Sequence, residues 1–287
     1  MNTNKTKNHT RRVVQNVIAT LAVLFVLALS GSSAQASTVT VTGTGDTIAV
    51  DGLVTLREAI CAANTNAVCG DAPAGSPGFD IINFNIPGSG VHTISPLSPL
   101  PSLLEPVKID GYSQPGSSEN TLASGDNAVL LIELNGSNVS NSGAFAIFAP
   151  AYGSTIRGLV INRFGEGILM PGGTSANVVE GCFIGTDPTG LIAQGNTTTG
   201  VYVNQSVSNR IGGTTPAQRN LISGNGKCVN GTCTGSGVAI FGFNAPMSNL
   251  VQGNLIGTDR TGTVALGNAS EGVLMSQAQG NTIGGSA

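Results

Sequence analysis

Gly200-Val201-Tyr202-Val203 is one copy of a phrase that returns in the second half of the chain, as Gly167-Ile168-Leu169-Met170, Gly237-Val238-Ala239-Ile240 and Gly272-Val273-Leu274-Met275. The copies are 33 to 37 residues apart. Each is followed by two more short strand-like pieces, in which an Asn stands two places before an aliphatic residue. Three brief strands per unit, repeated at a fixed period, is the pattern of stacked parallel β rungs.

Longer comparisons sharpen this reading. Residues 181–196 (GCFIGTDPTGLIAQGN) and 253–268 (GNLIGTDRTGTVALGN) share ten of sixteen residues at an offset of 72, and the same offset relates 200–213 to 272–285. One kind of coil carries a Gly-Thr-Asp-x-Thr-Gly loop, at 185–190 and 257–262, while another carries a different insertion at Thr214 to Arg219. Where nothing is inserted, Ala144 precedes Gly167 by 23 residues and Gly158 precedes Gly181 by the same number. Three strands and three bends fit that length.

Side chains alternate across a strand. Phe145, Ile168, Val201, Val238 and Val273 are therefore expected to stack inward, beside Ile147, Met170, Val203, Ile240 and Met275. Ile161, Ile184, Ile222 and Ile256 form a like row on another wall. Asn177, Asn209, Asn249 and Asn281, with Asn220 and Asn254, fall on the inner side of the bends. Amides stacked at a strand spacing of about 4.8 Å can bond one to the next, so these Asn are read as structure.

Residues 1–36 have the layout of a secretory signal peptide: Lys5, Lys7, Arg11 and Arg12, then an apolar run from Val17 to Leu29, then Ala34-Gln35-Ala36 as the cleavage site. That run of 13 residues is shorter than the roughly 20 a membrane-crossing helix needs. The mature chain is expected to be secreted or held at the cell surface, without a transmembrane segment. Losing the four basic residues leaves eight Lys and Arg against 15 Asp and Glu, a formal charge of −7. This balance excludes nucleic acid as the natural partner. Five cysteines fit an oxidising compartment. Cys61 with Cys69, and Cys228 with Cys233, are close enough to form disulfides, and Cys182 is left as a buried small residue.

A stacked coil has an open strand edge at each end. Thr55-Leu56-Arg57-Glu58 has the form of a helix capping box and is followed by Ala59, Ile60, Cys61, Ala62 and Ala63, so a short N-terminal capping helix is expected over the first rung. Residues 37–78 are read as this cap segment and 79–287 as the β-helix, which stops in mid repeat and is expected either to be truncated there or to have its last coil covered by a partner.

Thr55-Leu56-Arg57-Glu58-Ala59-Ile60 resembles the CSLREA segment of bacterial exported proteins, with Val54 and Thr55 in place of its Cys-Ser pair. Ile109-Asp110-Gly111-Tyr112-Ser113-Gln114-Pro115-Gly116, Arg219 to Asn225 and Gly253 to Asp259 resemble right-handed parallel β-helix repeats of the pectin-lyase-like type. The resemblance covers most of residues 38–285. It implies an all-β, right-handed parallel β-helix. It says little of activity, since that fold carries lyases, hydrolases and adhesins.

An enzyme of this type would be a polysaccharide lyase, with acidic calcium ligands and an Arg base, or a glycoside hydrolase, with paired Asp. Parity puts Ala146, Leu169, Tyr202, Ala239 and Leu274 outward on the first strand, none of them a carboxylate. The second strand offers Arg157 with Glu180, read as a surface ion pair, together with Thr155, Val178, Arg210 and Leu250. The third offers Val160, Phe183, Leu221 and Leu255. Asp187 and Asp259 stand one per Gly-Thr-Asp loop, too few carboxylates for calcium, and read as turn formers. His92 is the only histidine beyond the signal segment. No catalytic, cofactor-binding or metal-binding residue is assigned. The expectation is a β-helical scaffold or binding protein for extracellular polysaccharide or a cell-envelope component, the alternative being a lyase or hydrolase whose catalytic residues lie outside these repeats.

Overall fold

Strand-forming triplets separated by Asn and Gly give this chain its walls. The computed structural model describes residues 36–285, so the signal segment expected over 1–36 lies outside the described residues except for Ala36. Three parallel sheets of five, eight and six strands form the walls. The first wall is built from Phe145–Ala146, Glu166–Met170, Thr199–Asn204, Val238–Phe241 and Val273–Ser276. The second has eight strands, from Thr38–Val41 through Asp80–Phe84, Val107–Asp110, Thr155–Arg157, Val178–Glu180, Arg210–Gly212 and Leu250–Gln252 to Thr282–Ile283. The third runs from His92–Ile94 through Ile132–Asn135, Val160–Asn162, Phe183–Ile184 and Leu221–Ile222 to Leu255–Ile256. Successive strands in each wall come from successive coils, which makes the molecule an all-β parallel β-helix.

Register matches the repeat. Val201 pairs with Ile168 on one side and Val238 on the other, and Val238 pairs with Val273. Phe145, Ile168, Val201 and Val238 are fully buried, as are Met170, Val203 and Ile240 and the row Ile161, Ile184 and Ile222. At the last coil the rule weakens: Met275 is 49% exposed and Val273 half-buried, because no further rung in the described residues covers them. All three walls feed one continuous apolar core.

Bends between walls are locked by amides. The backbone N–H and Nδ2 of Asn177 both donate to Oδ1 of Asn209 at 3.0 Å; Asn209 does the same to Asn249 at 2.9 Å, and Asn249 to Asn281 at 3.0 and 2.9 Å. A second ladder joins Cys182 N–H to Asn220 Oδ1 (2.9 Å) and Asn220 to Asn254. A third, through Asn196, Asn225 and Asn268, was not anticipated, since these Asn do not stand two places before an inward aliphatic. Glycine is required at one bend in particular: Gly253 has φ +66°, and a Cβ there would collide with the carbonyl oxygen of Gly213.

The helix α1 (Leu56–Thr65) packs on the Thr38–Val41 and Asp80–Phe84 strands, burying Leu56, Ala59, Ile60, Ala62 and Ala63. Its capping box is present. Glu58 N–H donates to Thr55 Oγ1 (3.2 Å) and Thr55 N–H to Glu58 Oε2 (2.8 Å). Disulfides join Cys61 to Cys69 and Cys228 to Cys233, and the free thiol of Cys182 is buried. Among the described residues no helix is long and apolar enough to cross a membrane.

One outward row is not where alternation puts it. Val160, Phe183 and Leu221 are fully buried, because a strap of residues 114–130 crosses the third wall and adds Ala128 and Leu130 to them as a second small core. Two arginines pin the strap by its carbonyls. Arg219 donates to Leu122, Ala123 and Gly125, and Arg260 to Asp126 (2.7 Å) and Ala128 (3.0 Å). The Arg260 guanidinium also lies 5.6 Å from the Phe183 ring centroid.

Candidate functional site

Tyr202, Ala239 and Leu274 are consecutive rungs of one outward row on the first wall. The middle residue is the small one, so the surface dips between a ring and a branched chain. Phe241, the next outward position on the Ala239 strand, closes another side and meets Tyr202 edge to face, with ring centroids 5.6 Å apart and planes at 85°. The result is an open groove of about 400 Å³, within the range of small-ligand sites.

Opposite the rings runs a polar row that the sequence reading did not single out. Glu166 pairs with Thr199, and the same register continues to Ser236 and Glu271. Each residue sits one place before the Gly that opens a strand phrase. Alternation carried back from Ile168 and Val201 would turn them inward, but Glu166 and Thr199 are the first residues of their strands and Ser236 and Glu271 lie just before theirs. Glu166, Thr199, Ser236 and Glu271 instead line the groove, together with Thr198, Thr234 and Ser270. The signal was present in the sequence as the residue before each glycine.

The hydroxyls hold the acids in place. Thr198 Oγ1 donates to Glu166 Oε1 at 3.2 Å, and Ser236 Oγ to Glu271 Oε2 at 2.8 Å. Hydroxyls of Ser270 and Ser236 keep the Glu271 carboxyl below its ordinary range, so it is charged at neutral pH. Among the described residues, no Lys, Arg or His lines the groove. The outer wall is an exposed antiparallel hairpin, Lys227–Val229 with Thr232–Thr234, turned by Asn230 and Gly231 at φ 50° and 80°. Its disulfide links directly paired residues, and Cys233 faces the groove.

Two carboxylates on one groove invite comparison with glycoside hydrolysis. Glu166 and Glu271 are three rungs apart, roughly 14 Å at about 4.8 Å per rung, whereas hydrolytic pairs stand about 5 to 9.5 Å apart. The groove can grip a ligand at both ends. It does not bring the two acids to one bond.

The remaining charged residues gather elsewhere. On the second wall Arg157 and Glu180 belong to a larger network than the isolated pair expected: Lys108 bonds Asp110 (2.7 Å), Arg157 contacts Asp110, Glu119 and Glu180, and Arg210 bonds Glu180 at 2.8 Å. Asp110 and Glu119 precede the clear repeats, which is why spacing did not place them there. Arg157 also stacks 5.0 Å from the Tyr112 ring. Three cations face three carboxylates, so Glu180 is held by two guanidiniums and is not a free base.

Asp187 accepts from Thr189 Oγ1 (2.7 Å) and from the N–H groups of Leu191 and Ile192, and Asp259 accepts from Thr261 Oγ1 at 2.6 Å and the N–H of Val264. Both carboxylates are consumed within their own turns. Among the described residues, no cluster of three His, Cys, Asp or Glu side chains could hold a metal ion. Comparison with protein-family models and with curated proteins finds no match, so the site must be interpreted from its own chemistry.

Proposed function

We propose that this protein is an exported, β-helical binding scaffold whose first wall holds an extracellular or cell-envelope glycan. The observation that carries this is the groove at Ala239, where an edge of aromatic and branched side chains faces a line of hydroxyls and carboxylates. A sugar presents the same two chemistries, a C–H face and a ring of hydroxyls. Two disulfides fit an oxidising, extracellular setting. Rigid parallel walls preorganise such a row without ordering any loop on binding.

The test is calorimetric titration of the secreted protein with soluble oligosaccharides, repeated with Ala239→Phe, which fills the hollow while remaining on an outward position. Binding in the wild type that falls at least ten-fold in the variant supports the reading. Equal binding by both proteins, or none by either, overturns it.

A further inference from the structure

The electrostatics of the groove specify more than a generic sugar. Glu166 lies at one end of the polar row and Glu271 at the other, with Thr199 and Ser236 between them, and among the described residues no cationic side chain lines the hollow. Both carboxylates are anchored by neutral hydroxyls and neither is paired with a positive side chain. On the second wall, by contrast, Asp110, Glu119 and Glu180 all meet Lys or Arg, and the carboxylates of Asp187 and Asp259 are consumed within their own turns. The groove is thus a place where negative charge is left for something else to meet.

We infer that the groove selects a glycan bearing free amino groups, a partly deacetylated hexosamine polymer, and discriminates against uronic-acid polymers. This inference rests on the glycan-binding reading above and adds the charge of the ligand. An acidic chain would place its carboxylates against Glu166 and Glu271 with nothing to offset the repulsion, which is the kind of unfavourable contact that sets specificity. An amino sugar instead brings an ammonium that can donate to each carboxylate while its hydroxyls meet Thr199 and Ser236. Three rungs separate the two acids, too far for one sugar ring to reach both and suited to a short oligomer. A simple cationic peptide would satisfy the two charges but make no use of the remaining hydroxyl lone pairs and donors along the row, so the sugar is the better match.

The experiment compares four probes by calorimetry at low salt: a short glucosamine oligomer, its fully N-acetylated counterpart, a galacturonate oligomer and a lysine oligomer. The glucosamine oligomer is expected to bind tightest and to weaken as salt rises, and the galacturonate oligomer not to bind. Glu166→Gln and Glu271→Gln are each expected to weaken it by about three-fold, the size of an exposed ion pair, with no loss for the N-acetylated oligomer. Both variants keep the shape of the groove, so their folding can be checked by unchanged circular dichroism. If the N-acetylated oligomer binds as well as the free amine and the Gln variants change nothing, the charge reading is wrong while glycan binding stands. If the galacturonate oligomer binds best, the charge reading is likewise refuted. If the lysine oligomer binds tighter than any sugar, the groove is a peptide site and both readings fall. They also fall if none of the probes binds.

Discussion

Asn209→Ala should be among the most damaging single changes in this molecule, because it cuts an amide ladder at its middle. The side-chain Oδ1 of Asn209 accepts both the N–H and the Nδ2 of Asn177, at 3.0 Å each, and its own Nδ2 donates to Ser206 Oγ (2.8 Å) and Asn249 Oδ1 (2.9 Å). Truncation leaves two donors of Asn177 without partners, at a residue with no solvent exposure. Each buried orphan costs about 1 to 3 kcal/mol, so the loss should be about 4 kcal/mol in all. Asn249 suffers less, since its Oδ1 still receives the backbone N–H of residue 209. Asn281→Ala removes the same two bonds from Asn249, but at the last described coil, where water can replace them; about 1 kcal/mol is expected there. Urea unfolding followed by far-UV circular dichroism gives both values. Should Asn209→Ala cost no more than Asn281→Ala, stacked amides are not what holds the bends, and the structural assignment of these residues is wrong.

The strap over the third wall gives two further predictions. Asp126 is buried and its carboxyl is pushed above the ordinary value of 3.8 by burial, only partly offset by the Ala128 N–H, Arg260 and Arg219. Between pH 3.8 and that raised value the folded chain holds the proton more firmly than the unfolded chain, so this group's contribution to stability falls as pH rises. Asp126→Asn should therefore flatten the pH dependence of the unfolding midpoint over that window; parallel curves for the two proteins would refute it. Arg260→Ala removes the carbonyl anchors at Asp126 and Ala128 and the contact over Phe183, and should bring on binding of a fluorescent apolar dye and early proteolysis within 114–130, with the rest of the coil protected. Burial pushes the Cys182 thiol up to about 12, so a thiol reagent should not modify it until the protein is unfolded in denaturant.

Much of the architecture was legible as text because a solenoid is nearly one-dimensional. Residues that touch are the same residue one period on, so Ile168, Val201 and Val238 announce their contact by spacing alone, and Asn177, Asn209 and Asn249 do the same. Capping of α1 was equally local: Thr55 and Glu58 are three residues apart, and both halves of the box can be read without a fold. Small disulfide loops belong to the same class.

What escaped the reading is whatever breaks that local rule. Arg260 reaches Ala128 across 132 positions, and no period connects them, so the burial of Val160, Phe183 and Leu221 could not be foreseen from an alternation that made them outward. Glu166 and Glu271 were not singled out at all, because each stands at or just before the start of a strand, where the alternation of the inward aliphatics says nothing useful about them, and only packing shows that they line the groove. The groove itself needs three neighbours that only packing assembles: a small Ala239 between two larger rungs, Phe241 turned edge-on to Tyr202, and a hairpin inserted from the preceding bend. Repetition wrote the walls into the chain, because each rung needs only the one before it. The groove and the covered row came from the exceptions, where distant segments fold over a regular lattice and change which side chains water can touch.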